Sequence, residues 1–491
     1  MSRVALFFGV FALLLALTPR EPPAGRVALE AATARAIAAR GTFDLSDTLD
    51  PRELGAPDVA RLVTVEDGRR YATLPPGAAL ARAPFEALSR ALEALGAPRA
   101  SRFVVGAAQA ALGALLALLV ALGLRRSLVE TARARASRLR PATAAADPTH
   151  KLRASIHAVN PVVFAAVLST PLLVGARAFD ATLVAAVGLA VALDAARGAA
   201  SNWAALRLGL GAALAILADP DLLPAAAIVV AVGALSGPHT ADVRGWSRGV
   251  ARTLVEVLPP LAAFAVVLAH RRMVGGWPEP PGGLVEGLFG LTTSTGKGLL
   301  WFAPPLLLLP WALRAAFREQ RRDAALVSAV LVAALFGVAA SPRWHGDPAY
   351  GPSRLLPIVP LAIELVAWWL LSRPVALGRA RAVGVTALVL AGVVVQLAGA
   401  ALPPTAWTRV VRQLRAHSGA ATWPAEPEST VHFIPQLSPI RGHLFLLGAM
   451  ARRAPELATG APWSFLLQQP PKLEGEVARL HLDFLLLGKL R

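Results

Sequence analysis

Cysteine is absent from the 491 residues. That excludes disulfides, zinc–thiolate centres and cysteine nucleophiles, and it assigns no compartment. Charge is scarce: Asp, Glu, Lys and Arg make up 16% of the chain, where a soluble domain carries about 25%. Lysine is scarcer still, with Lys151, Lys297, Lys472 and Lys489 its only instances. The net charge of +18 is therefore mostly arginine, spread over short segments between apolar runs. A nucleic-acid binder would gather its basic residues on one face, so that class is excluded. A phosphate loop is missing too. "TTSTGKG" puts five residues, not four, between Gly290 and Gly296-Lys297, and Gly298 stands where the motif needs a Ser or Thr for magnesium. Tyrosine occurs twice, at Tyr71 and Tyr350.

What is present is hydrophobic. Apolar residues are 55% of the chain and the mean hydropathy is +0.54. The reading is an all-α polytopic membrane protein. Arg3 precedes the apolar run Val4–Leu17, which ends at "TPREPP" without a clear small-x-small cleavage site, so a retained anchor is expected. Further spans are expected near 103–124, 160–175, 181–196, 205–218, 222–236, 253–270, 299–315, 324–340, 355–372 and 383–402. The total is about eleven, although several fall short of the roughly 20 residues that cross a bilayer core. The pieces 205–218 and 222–236, split by "DPDLLP", are the least distinct as separate passes. The expected organisation is a transmembrane domain, 1–402, with a first outer loop at 20–102, followed by a tail, 403–491.

Arginine sets the expected orientation. The segments 124–140, 243–252, 313–322 and 372–381 are rich in it and fall on one side of an eleven-pass chain, which should be cytoplasmic. The first loop, three other polar clusters and the tail then lie outside. In the first loop, "VALEAATARAIAARG" (27–41) reads as a helix stopped by Gly41, Asp67-Gly68 as a turn, and "LPPG" as a break before another helix. The other clusters are "VGARAFDATL" (174–183), "GLFGLTTSTGKGLLWFAPP" (287–305) and "SPRWHGDPAYGPSRLLPIVP" (341–360). The last gathers Arg343, His345, Asp347, Tyr350 and Arg354 between two apolar runs.

Each polar residue has a plain role beside a chemical one. Lys297 is either a snorkelling interfacial charge or a phosphate ligand helped by Thr292–Ser294 and a helix start. Arg343 and Arg354 are headgroup anchors or site cations. Asp180 is an N-cap for the helix that follows or a catalytic carboxylate. Glu30 is the partner of Arg26 in a helix-surface ion pair or a base. His345 is a polar loop residue or a substrate contact. Charges within the spans are few, chiefly Asp194, Arg207 and Glu364, and most lie near span ends, which is unlike a transporter.

Five motifs in order carry a resemblance. "WHGDPAYGPSRLLPIVP" resembles the W-x-G-x-x-x-x-G-P-R-x-L-L-P-x-x-P motif of bacterial membrane glycosyltransferases of the GT-C superfamily, relatives of the protein O-mannosyltransferases and the lipid A aminoarabinose transferases. "ARAIAARGTFDL" with "DGRRYATLPPGAALARAPF", "STPLLVGARAFDATL", "GLFGLTTSTGKGLLWFAPPLLLLP" and "LSPIRGHLFLL" (437–447) look like further segments of that family. The resemblance implies a helical bundle with a cavity at the outer membrane surface, a polyprenyl-phosphate sugar donor, and a carboxylate base in the first outer loop. Two departures stand out. Arg26-Val27 replaces an acidic pair common in relatives, and Ser353 occupies the Gly-Pro-Arg arginine position, with Arg354 following.

On this reading the base candidates are Glu30, Glu21 and Asp180, in that order. Lys297, Arg343 and Arg354 would stabilise the leaving phosphate, with His345, Tyr350 and Tyr71 among the substrate contacts. No cofactor and no metal are expected. The partners would be the lipid-linked donor, membrane lipid and a cell-envelope glycan, lipid or protein acceptor, at the bacterial inner membrane. The missing acidic pair leaves a second reading open: a non-catalytic relative or a lipid-linked sugar carrier.

Overall fold

Helices dominate because the apolar runs are rich in Ala, Leu and Val and almost free of charge, so the backbone satisfies its own hydrogen bonds, as a lipid environment demands. The structure, a computed structural model, describes residues 2–19, 25–49, 62–138, 148–198, 201–235, 243–274, 282–346, 350–372, 378–418, 432–452, 474–480 and 482. Among these, five helices are long and apolar enough to cross a membrane: Phe103–Ser137, Leu152–Ser169, Gly249–Met273, Arg321–Ala339 and Arg379–Ala401. Shorter apolar helices run over Arg3–Ala16, Asn202–Ala218, Pro220–Leu235 and Val359–Ser372. The chain is an all-α, multi-pass membrane protein.

Two of the expected segments are broken. The first, 160–175, breaks at Thr170-Pro171, between the helices Pro148–Ser169 and Leu172–Gly175. The second, 299–315, is broken more sharply. It breaks into Leu299–Phe302, a 3-10 turn Pro304–Leu308 and the helix Leu309–Glu319. Pro304 and Pro305 lack the N–H groups that a continuous helix needs. Helix Ala181–Arg197 is buried on nearly every side and forms the centre of the bundle. It crosses Asn202–Ala218 closely at Gly188 and Gly211. A Cβ on Gly211 would lie 2.7 Å from the Ala192 nitrogen and the Gly188 oxygen, so small residues set this approach.

In the first loop, the expected helix spans Gly25–Arg40, and Gly41 follows at φ +66°, the left-handed stop that glycine supplies. The sheet among the described residues is one antiparallel hairpin, Val63–Glu66 with Arg69–Ala72, in register Thr64↔Tyr71. Asp67 and Gly68 both have positive φ (49° and 75°), as a tight hairpin turn requires.

The bundle has two unlike ends. At one, arginine-bearing segments meet: Arg135 pairs with Glu319 at 2.5 Å and donates to the Ser372 carbonyl at 3.1 Å, Gln320 donates to the Ser127 carbonyl and the Thr131 hydroxyl, and Arg197 pairs with Glu364 at 2.8 Å. The polar motifs meet at the other end. The tail docks there, with its own small apolar cluster around Trp407, Val411, Leu437 and Leu446.

Candidate active site

The 341–358 segment leaves the helix Arg321–Ala339 and must turn back into Val359–Ser372. Two glycines with positive φ, Gly346 (69°) and Gly351 (81°), make the bends. Arg354 follows in the short turn Ser353–Leu355 and is only 5% exposed. Its Nη2 donates to Asp219 Oδ1 and Oδ2 at 2.9 and 3.1 Å and to Asp221 Oδ2 at 2.6 Å. Its Nη1 reaches the Arg343 carbonyl at 3.4 Å. Asp219 caps the turn Pro220–Leu222, accepting the Asp221 N–H. Burial pushes the Asp219 carboxyl up against the pull of Arg354. Burial alone would lower Arg354, but the two carboxylates hold its guanidinium charged.

Arg26 extends this cluster. Its charge acts on both Asp219 and Arg354, and its Nε donates to Glu30 Oε1 at 2.8 Å. The Arg26–Glu30 pair has the expected i,i+4 spacing, but it is not on a helix surface: Glu30 is 1% exposed. The other Glu30 oxygen accepts the Ala181 N–H at 3.1 Å, at the N-terminus of the central helix. Asp180 is the N-cap of that helix. Its Oδ1 accepts the Leu183 N–H at 2.9 Å, and the Thr182 hydroxyl also donates to it. The helix start thus holds two carboxylates against its positive end. Arg177 sits beneath it, with Nε donating to the Leu17 carbonyl at 2.6 Å.

The third component is cationic and aromatic. Lys297, 1% exposed, donates from Nζ to the Gly351 carbonyl at 3.0 Å. That bond ties the two polar motifs together. Ser294 Oγ accepts the Lys297 N–H at 3.1 Å. His345 Nδ1 pairs with the Gly346 carbonyl at 2.8 Å, and its ring lies 5.5 Å from Trp344 and 5.2 Å from His432. Burial, with Lys297 next, lowers His345 to about 4, so the ring is neutral. Tyr350 donates to the Val395 carbonyl at 2.7 Å and lies 4.7 Å from the His443 ring. Burial raises the Tyr350 phenol.

The structure therefore brings Glu30, Asp180, Lys297, Arg343, His345, Tyr350 and Arg354 to one end of the bundle. Tyr71 stands apart on the hairpin: among the described residues no hydrogen bond or ring contact joins it to this cluster. The hairpin is anchored elsewhere, by Thr64 donating to the Val274 carbonyl at 2.8 Å. Glu21 and Asp347 lie outside the described residues. Among the described residues no group of three His, Cys, Asp or Glu comes together as a metal site.

No family model matches the chain, and no curated protein matches it. Two crystal structures of ArnT from Cupriavidus metallidurans are similar. The apo form is 15% identical, with a TM-score of 0.40, covering 98% of this chain and 89% of the other. The form bound to undecaprenyl phosphate is 16% identical, with a TM-score of 0.41, covering 97% and 87%.

Sequence reasoning missed Asp219 and Asp221, treating "DPDLLP" only as a break between spans. The available signal was two acids flanking a proline between apolar runs, on the same side as the motifs. His432 carried no signal, since its neighbours in the chain have no recognisable pattern.

Proposed function

We propose that this protein is a membrane glycosyltransferase, moving a sugar from a polyprenyl-phosphate donor to an acceptor hydroxyl at the outer face of the bacterial inner membrane. The observation that supports it is the convergence, at one end of an apolar bundle, of buried or half-buried acids (Glu30, Asp180, Asp219) and buried or half-buried cations (Lys297, Arg343, Arg354). Transfer breaks the bond from the anomeric carbon to a phosphate oxygen and makes the bond to the acceptor oxygen. The acceptor proton needs a base, and the phosphate needs positive charge as it leaves.

Glu30 is the base in this reading. Its carboxylate lies buried between Arg26 and the N-terminus of the central helix, on the face of the first loop that meets the cations. Lys297 and Arg343 supply charge to the phosphate, while Arg354 divides its charge between the phosphate and two aspartates. His345 and Tyr350 line the site. Arg26, standing where the resembled family has an acid, favours the second reading, a non-catalytic relative or a lipid-linked sugar carrier.

Glu30→Gln separates the two. With the base lost, sugar transfer from a polyprenyl-phosphate donor should fall by roughly 10²–10⁴-fold with donor binding kept. The assay is scored on protein whose thermal unfolding matches wild type. A wild-type rate in the variant removes Glu30 from the role. A wild type that binds the donor but transfers no sugar supports the carrier.

A further inference from the structure

His432 belongs to the tail, yet it sits inside the site. Its carbonyl accepts the Gly296 N–H at 3.0 Å, and nearby Ser438 Oγ donates to the Thr295 carbonyl at 2.8 Å. These bonds fasten the tail to the turn that carries Lys297. They seat the imidazole between Trp344, at 5.5 Å, and His345, at 5.2 Å, between ring centroids. The residue is 3% exposed. Among the described residues neither its Nδ1 nor its Nε2 has a hydrogen-bond partner, and the buried Oγ1 of Thr295, on the same turn, has none.

Buried polar atoms are nearly always satisfied. Three idle polar atoms around one turn point to a ligand that occupies them. Lys297 decides its sign: its charge acts on both rings, so it repels a cation and attracts an anion. The charges acting on His345 also include Arg343 and Arg354. Burial and these cations disfavour the charged form of both rings, holding His432 well below the usual imidazole range. A dianion bound beside the two rings reverses that balance. Protonated His432 then offers two N–H donors, and His345 one beyond its bond to the Gly346 carbonyl.

We propose that His432, His345, Lys297 and Thr295 Oγ1 form a subsite for the phosphate monoester of a polyprenyl lipid, and that filling it takes up one proton on the histidine pair. The proposal rests on the glycosyl-transfer reading and concerns its product. The donor is a phosphodiester with one negative charge. Cleavage at the anomeric carbon leaves a monoester with two, and releases one proton from the acceptor hydroxyl. The histidine pair holds one proton's worth of charge against the extra negative charge. The subsite thereby favours product phosphate over donor.

The test is calorimetric titration of the full-length protein in detergent at pH 7.5, in two buffers of different ionisation enthalpy. The probes are a polyprenyl monophosphate, its methyl diester and inorganic phosphate. Wild type should take up close to one proton per monophosphate bound, and none with the diester. His432→Gln should abolish the uptake and weaken monophosphate binding by about tenfold, with a smaller effect on the diester. His345→Asn, scored on proton uptake and monophosphate binding, serves if His432→Gln does not fold. Inorganic phosphate should bind at least about tenfold more weakly than the lipid. Equal affinity would assign the subsite to free phosphate and overturn the lipid assignment. Uptake that persists in folded variants of both histidines, or wild-type binding without uptake, overturns the proposal even in a protein that transfers sugar. Absent transfer with uptake intact sinks the transferase reading alone.

Discussion

Arg354 shows how little of a residue's role its neighbours in sequence disclose. Its guanidinium reaches Asp219 and Asp221, 135 and 133 positions away, and with them pins the 341–358 segment to the turn between two helices. Removing one partner of such a buried pair is costly, because the other charge stays behind in a poor solvent. Arg354→Met should therefore destabilise the protein by about 3–5 kcal/mol. Adding Asp219→Asn and Asp221→Asn should restore much of the loss, since no buried charge then lacks a partner. Thermal unfolding in detergent reads both. An Arg354→Met protein as stable as wild type would show that the guanidinium does not hold the turn.

Among the helices, packing depends on small side chains. The central helix Ala181–Arg197 and its neighbour Asn202–Ala218 approach until Gly188 and Gly211 face each other's backbones. Close approach of this kind is gained from dispersion contacts rather than from water exclusion. The same central helix presents its N-terminus to Glu30 and Asp180, so its position also places the candidate base. A Cβ at Gly211 must push the helices apart. Gly211→Ala should cost roughly 1–3 kcal/mol, the usual range for overpacking, and Gly211→Val more. Unfolding midpoints of the two variants check the order. Equal midpoints for wild type and Gly211→Val would mean that the two helices are free to move apart without loss. The broken segment Leu299–Glu319 makes a different use of local chemistry: Pro304 and Pro305 deny it a straight helix.

Over the whole molecule, two of the arginine-rich short segments, 124–138 and 313–322, meet at one end with Ser372, whereas the motifs and the docked tail converge at the other. This is the arrangement that the positive-inside rule associates with a cytoplasmic and an outer face. Reporter fusions at residues 140 and 320 should give cytoplasmic signals, and one at 410 an outer signal. A cytoplasmic signal at 410 would overturn the orientation and, with it, the placement of the site at the outer surface.

The class of protein and most of its helices follow from the sequence by itself, because hydropathy and proline are local properties. An apolar run of sufficient length has few choices other than a helix, and Asp67-Gly68 and Gly41 set their turns through backbone preference alone. The i,i+4 pairing of Arg26 with Glu30 and the N-cap of Asp180 are equally local, and the structure holds both. The burial of Glu30, the grip of Asp219 and Asp221 on Arg354, and the entry of His432 into the site are not local. They join residues separated by many tens of positions, and the sequence places no pattern on such pairs. Only packing decides them, because a buried charge or an idle imidazole is tolerated solely where the folded chain brings a partner or a ligand to meet it.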